Sequence, residues 1–124
     1  MRLLLDTHVV IWWLTDDPTL SEDIKNLIDE ELEVYVSAAS VWELAIKQAL
    51  GKIKEPENLA ELVADSEFME LSIAFDHSIA AGRLPPLHRD PFDRMLIAQA
   101  QREGLTLVTR DADIAKYSVT TMTA

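Results

Sequence analysis

The chain has 124 residues, the size of one compact domain, and its 48% hydrophobic residues with only three Gly and five Pro supply a packed core and exclude a disordered chain. It has no cysteine, which excludes disulfides, thiolate nucleophiles and Cys-based zinc or iron–sulfur sites. Twenty-two acids against eleven Lys and Arg give a formal net charge of −11, a field that repels nucleic acid unless positive charge is gathered locally or divalent cations intervene.

Apolar runs such as Val9 to Leu14 fall well short of the roughly 20 residues a membrane-spanning helix needs, and no basic-then-apolar leader opens the sequence. The expectation is a soluble, cytoplasmic protein without a targeting segment, folded as a single domain over residues 1–124.

Arg2 to Asp6 is a short apolar run ending in an acid, as in a strand buried on both faces of a parallel sheet. Thr7 is placed to cap a helix through Val9 to Leu14 that stops near Asp16-Asp17-Pro18. Ser21, with Glu22 and Asp23 in the first turn, opens an amphipathic helix over Ile24, Leu27, Ile28 and Leu32. Val34 to Ser37 follows as a strand. Ser40 is expected to cap the next helix, with Glu43 completing a reciprocal capping box and Gly51 ending it. Leu59, Leu62 and Val63 have helical spacing, Met69 to Ile73 reads as a strand, and Asp76 to Arg83 as a helix broken by Pro85-Pro86. Phe92 to Glu103 is a helix closed by Gly104, and Leu105 to Thr109 is a β-branched, apolar strand. Ala112 to Lys116 reads as one helical turn and Ser118 to Thr121 as an edge strand. Strands alternating with helices predict an α/β fold in three layers, α/β/α, with a mostly parallel central sheet.

In open parallel sheets ligands bind beyond the carboxyl ends of the strands, and both Asp6 and Asp111 fall at or just after such an end. Glu43 lies in the otherwise apolar stretch Ala38 to Ile46, where an unpaired carboxylate is costly, and Asp93 opens an apolar helix. Each acid alone has a structural reading as a cap, a turn residue or a partner of a nearby lysine such as Lys47. Together, four acids beside apolar sequence are better explained by a shared cation, because clustered carboxylates repel and a divalent metal relieves that repulsion. Oxygen ligands without paired His or Cys favour Mg²⁺ or Mn²⁺ over Zn²⁺, and such ions usually serve phosphate chemistry.

Four blocks carry a resemblance: Leu4-Leu5-Asp6-Thr7-His8, Ser40-Val41-Trp42-Glu43-Leu44, Asp90-Pro91-Phe92-Asp93-Arg94-Met95-Leu96-Ile97-Ala98-Gln99-Ala100, and Leu107-Val108-Thr109-Arg110-Asp111. Singly each is weak, but in this order and spacing, from about Leu3 to Thr121, the chain resembles a PIN-domain ribonuclease of the VapC toxin type. The resemblance implies Asp6, Glu43 and Asp93 as catalytic metal ligands, with Asp111 or else Asp113 as the fourth acid and Asp90 as an outer helper. It also implies hydrolysis of RNA with one or two Mg²⁺ or Mn²⁺ ions, products carrying a 5′-phosphate and a 3′-hydroxyl, homodimers, and a cognate antitoxin that blocks the site.

The remaining polar residues carry less. His8, His77 and His88 share no ligand spacing, and His8, two residues after Asp6, is expected closest to the site. Lys47, Lys52, Lys54, Arg89, Arg94 and Arg110 are candidates for a positive rim facing RNA. Trp12, Trp13 and Trp42 read as core or dimer-interface residues, with the Trp12–Trp13 helix expected to be the self-association surface. Competing readings are a haloacid-dehalogenase-like phosphatase, a Toprim-like nuclease, and a non-catalytic PIN-like interaction module. The first lacks the second Asp after Asp6-Thr7-His8, and Glu43 comes too late for the second despite Asp111-Ala112-Asp113.

Overall fold

In the computed structural model, which describes residues 1–53 and 57–124, five strands form one sheet. They are β1 (Arg2–Leu5), β2 (Glu33–Ser37), β3 (Met69–Leu71), β4 (Thr106–Thr109) and β5 (Thr121–Thr123). Their order is β3-β2-β1-β4-β5 and every pairing is parallel.

β1 is central and buried on both faces, so its alternating side chains feed two cores. Leu3 and Leu5 join Val9, Val10, Ile24, Val36, Leu44 and Val63 beneath α1 (Thr7–Leu14), α2 (Glu22–Glu30), α3 (Ala38–Ala49) and α4 (Leu59–Ala64). Leu4 points the other way, to Leu96, Ile97, Ala100, Leu107, Ile114 and Tyr117, beneath α6 (Pro91–Glu103). α5 (Phe75–Arg83) packs on α6. This is the three-layer α/β/α arrangement expected from the alternation of elements.

The chain leaves β1 toward β2 and β3, then returns to the opposite side of β1 to lay down β4 and β5. The direction of winding therefore switches between β1 and β4, and a crevice opens beyond their carboxyl ends.

Two caps and one strand differ from the sequence reading. Asp6, not Thr7, caps α1, its carboxylate accepting the His8 N–H, and Thr7 is the first helical residue. α3 is capped by Ser37, whose Oγ accepts the Ala39 N–H, so Ser40 lies inside the helix and no capping box joins it to Glu43. Ser37 wins because β2 ends on it directly at the helix start, while Ser40 Oγ is taken by Thr7 Oγ1 at 2.9 Å. The edge strand runs over Thr121–Thr123 rather than Ser118 to Thr121, its register set by Leu107 opposite Thr121. Elsewhere the expected caps stand: Ser21 accepts from Ile24 N–H, and Gly104 ends α6 in the left-handed region at φ 66°.

Candidate active site

Asp6 stands at the end of β1, 5% exposed, with both oxygens in use: Oδ1 accepts the His8 N–H at 3.2 Å and Oδ2 accepts the Thr109 hydroxyl at 2.6 Å. Thr109 is the last residue of β4, and its Oγ1 also accepts the Asp111 N–H at 3.1 Å. One hydroxyl thus ties the acid after β1 to the acid after β4. Asp111 Oδ1 accepts the Asp113 N–H in a tight turn, and a crevice of about 250 Å³ opens between Asp6, His8, Trp12, Arg110 and Asp111. The larger clefts, of about 360 and 670 Å³, are lined by none of the four candidate acids.

Asp93 enters from the first turn of α6, which Asp90 caps by accepting the Phe92 and Asp93 N–H groups. Its Oδ2 lies 2.7 Å from His88 Nε2, which is itself 3.9 Å from Asp111 Oδ2. Ligating atoms of His88, Asp93 and Asp111 all lie within 4.8 Å of one another. Burial pushes the Asp93 carboxyl up to about 6, the His88 hydrogen bond opposes this, and the charges of Asp90 and Asp6 add to it. His88 is raised above its ordinary value by its bond to Asp93, with Asp111 and Asp113 adding to the field and burial opposing.

Glu43 sits one turn beyond Ser40 on the same face of α3, the face that Thr7 touches beside Asp6. It is 7% exposed; Oε2 pairs with Lys47 at 3.1 Å, and Oε1 is buried without a hydrogen-bond partner among the described residues. A carboxylate oxygen so placed is costly unless something electropositive reaches it.

The structure therefore brings Asp6, Asp93 and Asp111 to the switch point and sets Glu43 on the helix face beside it. Asp113 turns its Oδ1 to Lys116 Nζ at 2.9 Å and its Oδ2 toward His88 Nδ1 at 4.0 Å. Of the histidines, His8 Nδ1 lies 3.9 Å from Asp6 Oδ1 with its side chain 62% exposed, whereas His88 is 17% exposed and bonded within the cluster. Sequence reasoning chose the nearer neighbour in the chain and missed His88, whose loop gives no local signal. Thr109 was also missed, although it lies inside the block ending at Asp111. His77 is away from the site, its Nδ1 accepting the Ala74 N–H and its Nε2 facing Glu103.

Two members of the expected positive rim spend donors on backbone carbonyls, although Arg110 also lines the crevice. Arg94 turns into the protein, donating to the carbonyls of Ala81, Leu84, Pro85 and His88 and to Tyr117 Oη. Arg110 donates to the carbonyls of Thr19 and Ala124 and stacks over Trp12 at 4.7 Å. A guanidinium carries five donors, and loops whose carbonyls lack partners consume them before RNA can. Lys47 is held by Glu43, while Lys52 and Arg89 have no side-chain partner among the described residues. Lys54 lies outside the described residues.

An all-parallel α/β sandwich with carboxylates gathered at its switch point narrows the class of protein sharply. The chain belongs to the PIN domain family, whose model matches residues 3–119. It is 33% identical over 125 residues to Ribonuclease VapC22 of Mycobacterium tuberculosis, covering 93% of this chain and 91% of that protein. The same fold is found in VapBC2 from Rickettsia felis, solved bound to a DNA fragment from their promoter. That match has TM-score 0.79 and 17% identity over 99% of this chain and 98% of the other. FitAcB from Neisseria gonorrhoeae superposes with TM-score 0.73 and 22% identity over 98% of this chain and 96% of the other.

Proposed function

We propose that this chain is a metal-dependent endoribonuclease, the toxin of a toxin–antitoxin module, with Asp6, Glu43, Asp93 and Asp111 as the ligands of Mg²⁺ or Mn²⁺. The observation that carries the reading is the meeting of acids from three distant segments at the switch point. Among the described residues no Lys or Arg pairs with Asp6, Asp93 or Asp111, and the basic groups within 4 Å of their carboxylates are imidazoles. Carboxylates held together without a cationic side chain call for a cation from solution. The unpartnered Glu43 Oε1 fits the same need. Similarity to a ribonuclease supports the reaction, and similarity to VapBC assemblies supports a small protein partner acting as antitoxin.

A divalent cation bound there supplies Lewis acidity toward a phosphate oxygen and lowers the pKa of a bound water. The chain's own work is placement. Thr109 fixes Asp6 and the turn at Asp111, Asp90 fixes the first turn of α6 that carries Asp93, and the Thr7–Ser40 bond docks α3, the helix that carries Glu43, against the start of α1. Lys52 and Arg89 remain to meet phosphates, a small share of positive charge for a chain of net charge −11, so binding depends strongly on the cation. Purified protein incubated with unstructured RNA is expected to cut it in Mn²⁺ or Mg²⁺ and not in chelator, leaving 5′-phosphate ends. Intact RNA in all three conditions would instead favour a non-catalytic interaction module.

Among the described residues no helix is long and apolar enough to cross a membrane, and the site of action proposed for the nuclease is the cytoplasm, where RNA substrate is found. The chain is also proposed to form a homodimer, through a surface other than the one the sequence suggested. Trp12 and Trp13 are half-buried, Trp13 packing on Phe68 at 4.8 Å, whereas Phe75 and Ile79 on one face of α5 are 91% and 54% exposed. Sedimentation at micromolar concentration is expected to give a dimer that Phe75→Glu dissociates; a wild-type monomer would defeat this.

A further inference from the structure

We propose that His88 is itself a ligand of the bound cation, through Nε2, giving this chain a mixed nitrogen and oxygen donor set that prefers Mn²⁺ over Mg²⁺. The inference rests on the metal-dependent reading above and deepens it by adding a residue that the four-acid set omits.

Position is the first argument. His88 Nε2 lies 2.7 Å from Asp93 Oδ2 and 3.9 Å from Asp111 Oδ2. Ligand atoms bound about 2.1 Å from one ion stand roughly 3 to 4 Å apart. The Asp111 separation already falls in that span, and the Asp93 separation opens to it when one hydrogen bond is exchanged for two bonds to a common cation.

The second argument is what stands behind the ring. A ligating imidazole usually turns its other nitrogen to a carboxylate, which fixes the tautomer and raises the basicity of the ligating nitrogen. Here Nδ1 faces Asp113 Oδ2 at 4.0 Å, and Lys116 holds the other oxygen of that carboxylate. With the proton on Nδ1, the Nε2 lone pair is aimed at Asp93 and Asp111.

Third, the segment that presents the ring is pinned rather than loose. Tyr117 Oη accepts the Leu87 and His88 N–H groups and donates to Pro85 O at 2.7 Å. Arg94 spends most of its guanidinium on the same segment, reaching His88 O at 3.2 Å, and pairs with no carboxylate among the described residues. A buried tyrosine and a half-buried arginine holding Leu84, Pro85, Leu87 and His88 is a costly way to place a surface histidine and a sensible way to place a ligand. Imidazole suits transition ions, whereas Mg²⁺ keeps oxygen ligands and water, so the preference for Mn²⁺ follows from the nitrogen.

The test is pulsed electron paramagnetic resonance of the Mn²⁺-loaded full chain, with calorimetric titration of Mn²⁺ and Mg²⁺. Wild type is expected to show the ¹⁴N modulation of a bound imidazole, kept in His8→Gln and lost in His88→Gln. Loss of His88 should weaken Mn²⁺ binding about tenfold or more, and Mg²⁺ binding by less than about threefold. Should His88→Gln fail to fold, the spectra of wild type and His8→Gln still decide. Mn²⁺ bound without imidazole modulation, modulation that disappears in His8→Gln, or equal weakening of both ions overturns the assignment while leaving the nuclease reading intact. Failure of wild type to bind any divalent cation removes both together.

Discussion

Asp6→Asn is expected to reduce cation-dependent RNA cleavage by about 100-fold or more while leaving the fold and melting temperature of the cation-free protein unchanged or slightly raised. The retained fold follows from the hydrogen bonds. An Asn Oδ1 still accepts the His8 N–H and caps α1 nearly as well as Asp, and its amide turns to Thr109 Oγ1, since a hydroxyl accepts as readily as it donates. The lost activity follows from charge, because one of the negative groups drawing the cation to the switch point is gone. The same deletion relieves repulsion on Asp93, which feels the Asp6 charge. If Asp6 were only a cap, cleavage and melting temperature would both stay at wild-type values, so full activity in the variant overturns its assignment as a ligand.

The fold was legible because its strongest signal is local. Leu3-Leu4-Leu5 and Leu107-Val108 are apolar runs bounded by polar residues, and such runs flanked by helical spacing have few homes other than a buried parallel sheet. Helix starts were less legible, since two serines three residues apart, Ser37 and Ser40, offer the same capping chemistry. What separates them is tertiary: Ser40 is claimed by Thr7, thirty-three positions away. The same holds for Asp6 and Thr7, where the strand end decides which of two good caps stands outside the helix.

Acids were legible in sequence because a carboxylate beside apolar residues is an anomaly wherever it falls. His88 was not, because its segment, between the prolines at 85–86 and the cap at Asp90, has no periodicity, and its course is dictated by Arg94 and Tyr117. Those two side chains arrive from α6 and from the residue after the 3₁₀ turn Ile114–Lys116. Arg94 and Arg110, read in the sequence as rim charges, have donors taken by backbone carbonyls for a related reason. A sequence shows that a residue is cationic but not which orphaned carbonyls stand within reach of it, and here Ala81, Leu84, Thr19 and Ala124 claim them first.

Asp93→Asn is expected to flatten the pH dependence of stability in the cation-free protein and to raise its melting temperature by several degrees at pH 8. Burial lifts the Asp93 carboxyl from its ordinary 3.8 to about 6, so between these values the folded chain holds a proton that the unfolded chain releases. Stability attached to this group is therefore highest at low pH, falls as pH rises from about 4 to 6, and stays low above. His88 acts in the same direction: its value is raised, so its contribution is full below 6.5 and is lost as pH climbs through the folded value. Asp17 and Asp113, whose carboxyls are lowered by hydrogen bonds to Thr19 and Lys116, act the other way but only below 3.8, outside this window. A shift of this size corresponds to at most about 3 kcal/mol, which for a domain of this length is a change of several degrees. Asn keeps an oxygen to accept from His88 Nε2 and carries no charge to bury, so both the Asp93 slope and most of the His88 slope should vanish in the variant. Thermal melts in chelator from pH 5 to pH 8 make the comparison. Wild-type and variant curves that run parallel would mean that Asp93 bears no burial cost and that the clustered acids are not under the strain that a cation relieves.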